Sequence, residues 1–151
     1  MSVPADLTAR ITAVDFDLAA RTVGGEARGE PIAGRIAVAW AIRNRFEWPG
    51  GPYWWGESVA SICNAPWQFS CWLHGDPNRA LLLEMSAALP WYPGILDLVR
   101  EVFAGTIPDP TQGASHYKCR GTPASWDKAV RDRCLMPVSI GHQDFFKIGP
   151  H

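Results

Sequence analysis

Apolar residues recur at helical spacing near the start of the chain. Leu7, Ile11, Phe16, Ala19, Ala20 and Val23 fall near one face, so Pro4 to Val23 is expected to form helix. Gly24 and Gly25 then predict a stop, as glycines after a helix usually do. Glu26, Ala27, Arg28, Gly29 and Glu30 read as a short polar turn. Pro31 suits the first position of a second helix that runs to about Phe46. That helix carries Ile32, Ile36, Ala37, Val38, Ala39, Trp40 and Ile42. It is apolar almost all round, the pattern of a central, buried helix.

From Glu47 to Pro66 the pattern breaks into Pro, Gly and Trp, which punctuate rather than propagate structure. A long loop with a short helix near Ser58 to Cys63 is expected. Arg79–Leu89 and Ile95–Ala104 read as two further helices, separated by the breaker Pro90 to Gly94. Thr106 to Gln112 is a turn-rich link. Short apolar stretches around His116–Tyr117, Met136–Ile140 and Phe145–Phe146 suggest a few short strands. Residues 1–151 are read as a single domain, since that length builds one real core and not two comfortable ones. The expected class is α+β, mainly helical with a small late strand and loop portion.

Composition adds little that excludes this. The formal charge of -1 gives no electrostatic argument for nucleic acid or for an anionic membrane surface. No apolar run approaches bilayer length. The opening MSVPADLTARITAVDFDLAA lacks a basic head, and Asp15 and Asp17 interrupt its apolar segment, so it does not read as a secretory signal. Eight tryptophans stand out. Trp stacks on sugar faces and its N–H wants a partner, although core packing is its ordinary role.

The candidate chemistry centres on Glu26. A carboxylic acid where a helix ends, beside apolar surface, keeps its proton more readily, because the helix's negative end and desolvation both disfavour the anion. Taken alone, a Glu in a turn is ordinarily solvated surface. The surrounding residues change the weighting. The stretch LAARTVGGEARGEPIAGRIAVAWAIRNRF resembles the opening of the SleB-type cell wall hydrolase family. It matches that family's pattern at Leu18, Ala20, Arg21, Thr22, the block Gly25 to Glu30, Gly34, Ala37 to Ala39, Asn44 and Arg45. Gln68-Phe69-Ser70 with Trp72, Gly113-Ala114 leading to His116-Tyr117, Trp126, and Ile140-Gly141 with Phe145-Phe146-Lys147 follow in order. The likeness spans nearly the whole chain. Three departures accompany it: Gly24 stands where Tyr or Trp is common, the closing motif usually has its His nearer the first Phe than His142, and EWPGGPYWW looks like a local insert.

The resemblance implies a lysozyme-like domain that cleaves peptidoglycan at the β-1,4 bond between N-acetylmuramic acid and N-acetylglucosamine. Its single essential glutamate maps onto Glu26, and no cofactor or metal is implied. Members resemble lytic transglycosylases, in which the acid protonates the glycosidic oxygen and the muramic 6-hydroxyl attacks C1. A hydrolytic muramidase would instead want a second carboxylate at ~5 Å or roughly 6.5–9.5 Å. Glu30, Glu57, Asp76 and Asp127 are candidates, and none is an obvious partner. Glu30, Gln68, Phe69, Ser70, Trp72, His116, Tyr117 and Trp126 are the expected substrate-groove residues. For each the alternative is a structural one: a turn against the core for Gln68 to Ser70, simple packing for His116, Tyr117 and the tryptophans. Asn44 and Arg45 are expected to tie the second helix's end to a loop.

Cys63, Cys71, Cys119 and Cys134 permit two disulfides, most simply Cys63–Cys71 and Cys119–Cys134, although sequence alone leaves three pairings open. Metal is the rival, since Cys71-x-x-His74 and His116-x-x-Cys119 have spacings a zinc site uses. A zinc amidase cutting the peptide stem and a non-catalytic wall-binding module are the other classes, and neither explains GEARGE. Delivery is expected to follow the phage lysis pattern, with a tail-carried enzyme or an exported bacterial one as the alternatives. In that pattern a monomeric endolysin is made in the cytoplasm and reaches the wall through a holin-type membrane partner.

Overall fold

The computed structural model describes residues 3–27, 29–49, 56–64 and 90–149. A 3-10 turn (Thr8–Arg10) leads to helix α1 (Ala13–Ala27), then α2 (Ile32–Phe46), α3 (Val59–Asn64) and α4 (Tyr92–Ala104). Strand β1 (His116–Cys119), helix α5 (Asp127–Asp132), and strands β2 (Val138–Ile140) and β3 (Gln143–Phe146) complete the order. The strands form one antiparallel sheet in the order β1-β3-β2. His116 faces Phe146 across one pair, and Val138 faces Phe145 across the other. This is the mainly helical α+β architecture with a small late sheet that the pattern predicts. The expected helix over Arg79–Leu89 lies outside the described residues.

Helix α1 starts later than periodicity alone suggests, because a cap fixes its first turn. The Thr12 hydroxyl accepts the Asp15 N–H at 3.1 Å, and Asp15 accepts the Thr12 N–H at 3.0 Å, a reciprocal arrangement that satisfies two otherwise orphaned donors. The second Asp15 oxygen accepts the Ala60 N–H at 2.9 Å and so binds α3 to α1.

The helix also ends later than expected. Gly24 and Gly25 do not stop it; α1 continues through both to Ala27. At Gly24 the reason is packing, since a Cβ there would lie 2.1 Å from Cζ3 of Trp91. The indole of Trp91 occupies the space that a large residue at position 24 would fill. Glu26 therefore stands in the last helical turn, not in a loop.

Helix α2 is central, with Ala37, Val38, Ala39, Ala41 and Ile42 wholly buried. Ala19, Ala20 and Val23 of α1, Ile62 of α3, and Val99 and Phe103 of α4 close around it. Pro31 is the extended residue before the helix and not its first member. Within this apolar helix Arg43 is also buried, and it donates to Val102 O at 2.7 Å and Ala5 O at 2.6 Å. A cation suits the last carbonyls of α4, where the helix end is negative. Helix α4 begins at Tyr92, inside the stretch read as a breaker, because Pro93 is tolerated in a first turn. Helix α5 was not anticipated; it is one short turn-and-a-half following Trp126.

Candidate active site

The end of α1, strand β1 and the start of β3 enclose a cleft of about 370 Å³. Glu26 and Gly25 line one wall, Tyr117, Lys118 and Cys119 a second, and Gln143 a third, with Thr122 at the edge. Helical spacing explains the placement of Glu26. Its neighbours Val23 and Ala27 point into the core and are buried, which leaves Glu26 on the flank, half-buried. Among the described residues lining this cleft, Glu26 is the one carboxylate.

Arg45, at the end of α2, lies beneath this region. It is 3% exposed and its Nε donates to Ser115 O at 2.7 Å, just before β1. Burial pushes its guanidinium down to about 10, while Tyr117, Cys63 and Glu26 act against that shift. It remains charged at neutral pH, so a buried cation stands within the field of both Glu26 and Tyr117. Asn44 beside it donates to Asp109 at 2.9 Å and to Ala114 O at 3.0 Å. Both residues do tie the helix end to the link before β1, as expected, and Arg45 also sets the electrostatics of the cleft.

The expected groove residues are distributed unevenly. Tyr117 shares the cleft with Glu26, its ring tilted against Phe145 at 5.5 Å. His116 points to the opposite face of β1, as strand alternation requires. It is buried there, with Nδ1 2.8 Å from Ser115 Oγ and its ring edge-on to Trp126 at 5.3 Å. Trp126 also meets Phe146 at 5.3 Å and lies 5.6 Å from the Lys118 ammonium. Lys118 pairs with Asp127 at 2.6 Å, and that hydrogen bond holds the Asp127 carboxyl below its usual value. Glu30 turns away from the cleft toward the β2–β3 turn, where it meets His142. Glu57 is exposed and does not line the cleft. Gln68, Phe69, Ser70, Trp72 and Asp76 lie outside the described residues.

Gln143 was missed by the sequence reading. The signal was there in period-2 alternation, since Gln143 and Phe145 share a face of β3 and Phe145 is core.

The cysteines require a correction. Cys119 and Cys134 are free and exposed, not paired with one another, and Cys63 is free and buried. Desolvation pushes the Cys63 thiol up to about 12. Cys71 and His74 lie outside the described residues. Among the described residues no three His, Cys, Asp or Glu side chains gather as a metal site.

The sequence profile of the Cell Wall Hydrolase family matches residues 29–145, beginning three residues after Glu26. No curated protein sequence matches the chain. Among solved structures, the fold is similar to the catalytic domain of the germination-specific lytic transglycosylase SleB from Bacillus anthracis. The TM-score is 0.65 at 24% identity, covering 90% of this chain and 96% of that one. The catalytic domain of the Bacillus cereus SleB protein is similar to nearly the same degree, with a TM-score of 0.64 at 24% identity over 91% and 92% of the two chains. A glutamate-bearing cleft between helix and sheet, the fold around it, and a match over most of the length agree: the chain belongs to the cell wall hydrolase family and is a peptidoglycan-cleaving enzyme.

Proposed function

We propose that this enzyme cuts the β-1,4 bond between N-acetylmuramic acid and N-acetylglucosamine as a lytic transglycosylase, with Glu26 as the general acid. The observation that carries the reading is the solitary carboxylate: no second acid among the described residues lines the cleft to activate a water or trap C1. In the proposed cycle Glu26 gives its proton to the glycosidic oxygen as the C1–O bond breaks. The muramic 6-hydroxyl forms the new bond to C1 and returns its proton to the Glu26 carboxylate. No water is consumed, and the product ends in a 1,6-anhydro ring. Tyr117, across the cleft and near the Arg45 cation, is assigned to hold the reacting oxygens in place. The relatives named above, one of them called a lytic transglycosylase, support the same choice.

Residues 1–151 act here as one catalytic domain. Action as a monomer released through a holin-type membrane partner belongs to the same reading. No described helix is long and apolar enough to cross a membrane.

Mass spectrometry of digested peptidoglycan tests the chemistry. Anhydromuramoyl ends are expected. Reducing muramic ends alone would make the enzyme a muramidase, and new free amino groups would make it an amidase. Glu26→Gln should abolish cutting with the melting temperature nearly unchanged, because an amide of the same shape has no proton to give.

A further inference from the structure

We propose that Gln143 is a glycan-binding residue of the Glu26 cleft, its Oε1 accepting a hydrogen bond from a sugar donor. The inference rests on the reading of that cleft as the glycan site. Gln143 is 4% exposed, and its Oε1 is buried with no hydrogen-bond partner among the described residues. A buried amide oxygen left without a donor is unfavourable, and such groups in folded proteins call for an explanation. Here the orphaned acceptor belongs to a side chain that lines the same cleft as Glu26.

The scaffold suits recognition. Gln143 opens the central strand β3 and is paired with Cys119 on one side and Ile140 on the other. Its backbone is held from both flanks, so the amide is positioned before any ligand arrives. The next residue, Asp144, occupies the opposite face and is engaged with Arg120 at 3.1 Å and Ser139 at 2.6 Å. Gln143 thus places a buried, unpartnered carbonyl oxygen beside a site whose substrate carries many donors. Peptidoglycan sugars supply two kinds, the acetamido N–H and the ring hydroxyls. Either meets the acceptor, and a chain lacking such a donor would leave Oε1 unmet.

The test is binding in the inactive Glu26→Gln protein, with soluble glycan strands stripped of peptide stems as the probe. Adding Gln143→Met should weaken binding by roughly ten-fold or more, because a site built around a polar partner loses heavily without it. The melting temperature of the free protein should hold or rise, since the unsatisfied oxygen is gone. Gln143→Asn, which withdraws the amide by one methylene, should bind as weakly as the Met variant. De-N-acetylated strands then identify the donor. If they bind the parent as weakly as the Met variant does, the acetamido N–H is the partner, and retained binding assigns a hydroxyl. Unchanged affinity together with a lowered melting temperature would overturn the proposal and make Gln143 structural. If the Glu26→Gln parent itself fails to bind strands, the reading of the cleft falls, and this inference with it.

Discussion

Nδ1 of His142 lies 2.9 Å from Oε2 of Glu30, and the same oxygen accepts the His142 backbone N–H at 3.3 Å. One carboxylate thereby fastens the α1–α2 link to the β2–β3 turn, across 112 residues of sequence. Gly141 completes the joint. Its φ is +58, and a Cβ there would stand 2.8 Å from the same Glu30 oxygen. Gly141→Ala should therefore cost ~1–3 kcal/mol, from left-handed backbone and crowding together. Chemical denaturation measures it, and an unchanged midpoint would show that the turn tolerates a side chain.

Glu30→Gln follows from the same joint. An amide of the same size retains one contact to the turn, and His142 is largely exposed, so the stability loss should stay below about 1 kcal/mol. Peptidoglycan turnover should fall without vanishing, because the turn leads directly into β3 and Gln143. A loss as complete as that of Glu26→Gln would give Glu30 a part in the chemistry that its position does not suggest.

These joints mark the limit of what the sequence made legible. The buried α2 and the late strands followed from periodicity, and Tyr117 was named as a groove residue from the family likeness alone. The role of Gly24 did not follow, because a glycine that ends a helix and one that admits an indole look alike in sequence. The difference is Trp91, far along the chain. Glu30 was read as a groove residue for a similar reason. Its partner His142 is non-local, and composition near Glu30 carries no trace of it. Gln143 was overlooked because a polar residue opening a short strand is ordinarily solvated; alternation with Phe145 gives its face, and packing adds the buried oxygen.

Arg45→Met should separate stability from activity. The guanidinium is pushed down to about 10, so its charge is held at a cost that its contacts do not fully offset. Removing it relieves that cost and leaves Ser115 O without its donor, a balance within about 1–2 kcal/mol. Peptidoglycan cutting should nevertheless fall by roughly ten-fold or more, because the fixed cation near Glu26 and Tyr117 is lost. Parallel losses in melting temperature and activity would make Arg45 purely structural.

Tyr92 gives an alkaline prediction. Burial, then the hydrogen bond to Asp17, raises its phenol from 10.0 to about 12. The folded state thus holds the Tyr92 proton more tightly than the unfolded chain does. Its contribution is fully present below pH 10 and is lost as pH climbs toward 12. Tyr92→Phe should be less stable than the parent at pH 8, having lost the Asp17 contact, and the gap should narrow between pH 10 and 12. Parallel stability curves across that range would rule out Tyr92 as the titrating group.

The thiols offer the sharpest chemical contrast. Cys119 and Cys134 are exposed, while Cys63 is fully buried and its thiol is pushed up to about 12. The thiolate is the nucleophile, so Cys63 lacks both access and the reactive form near neutral pH. Brief alkylation of the native protein at pH 8, read by peptide mass spectrometry, should label Cys119 and Cys134 and spare Cys63. Cys63 should react only after denaturation. Because Cys119 lines the Glu26 cleft, its adduct should also obstruct the glycan. Inactivation should then track labelling of Cys119 and not of Cys134, and Cys119→Ser should make the remaining activity indifferent to the reagent. If Cys119→Ser is inactivated as fast as the parent, the adduct is acting elsewhere, and the glycan does not pass over Cys119.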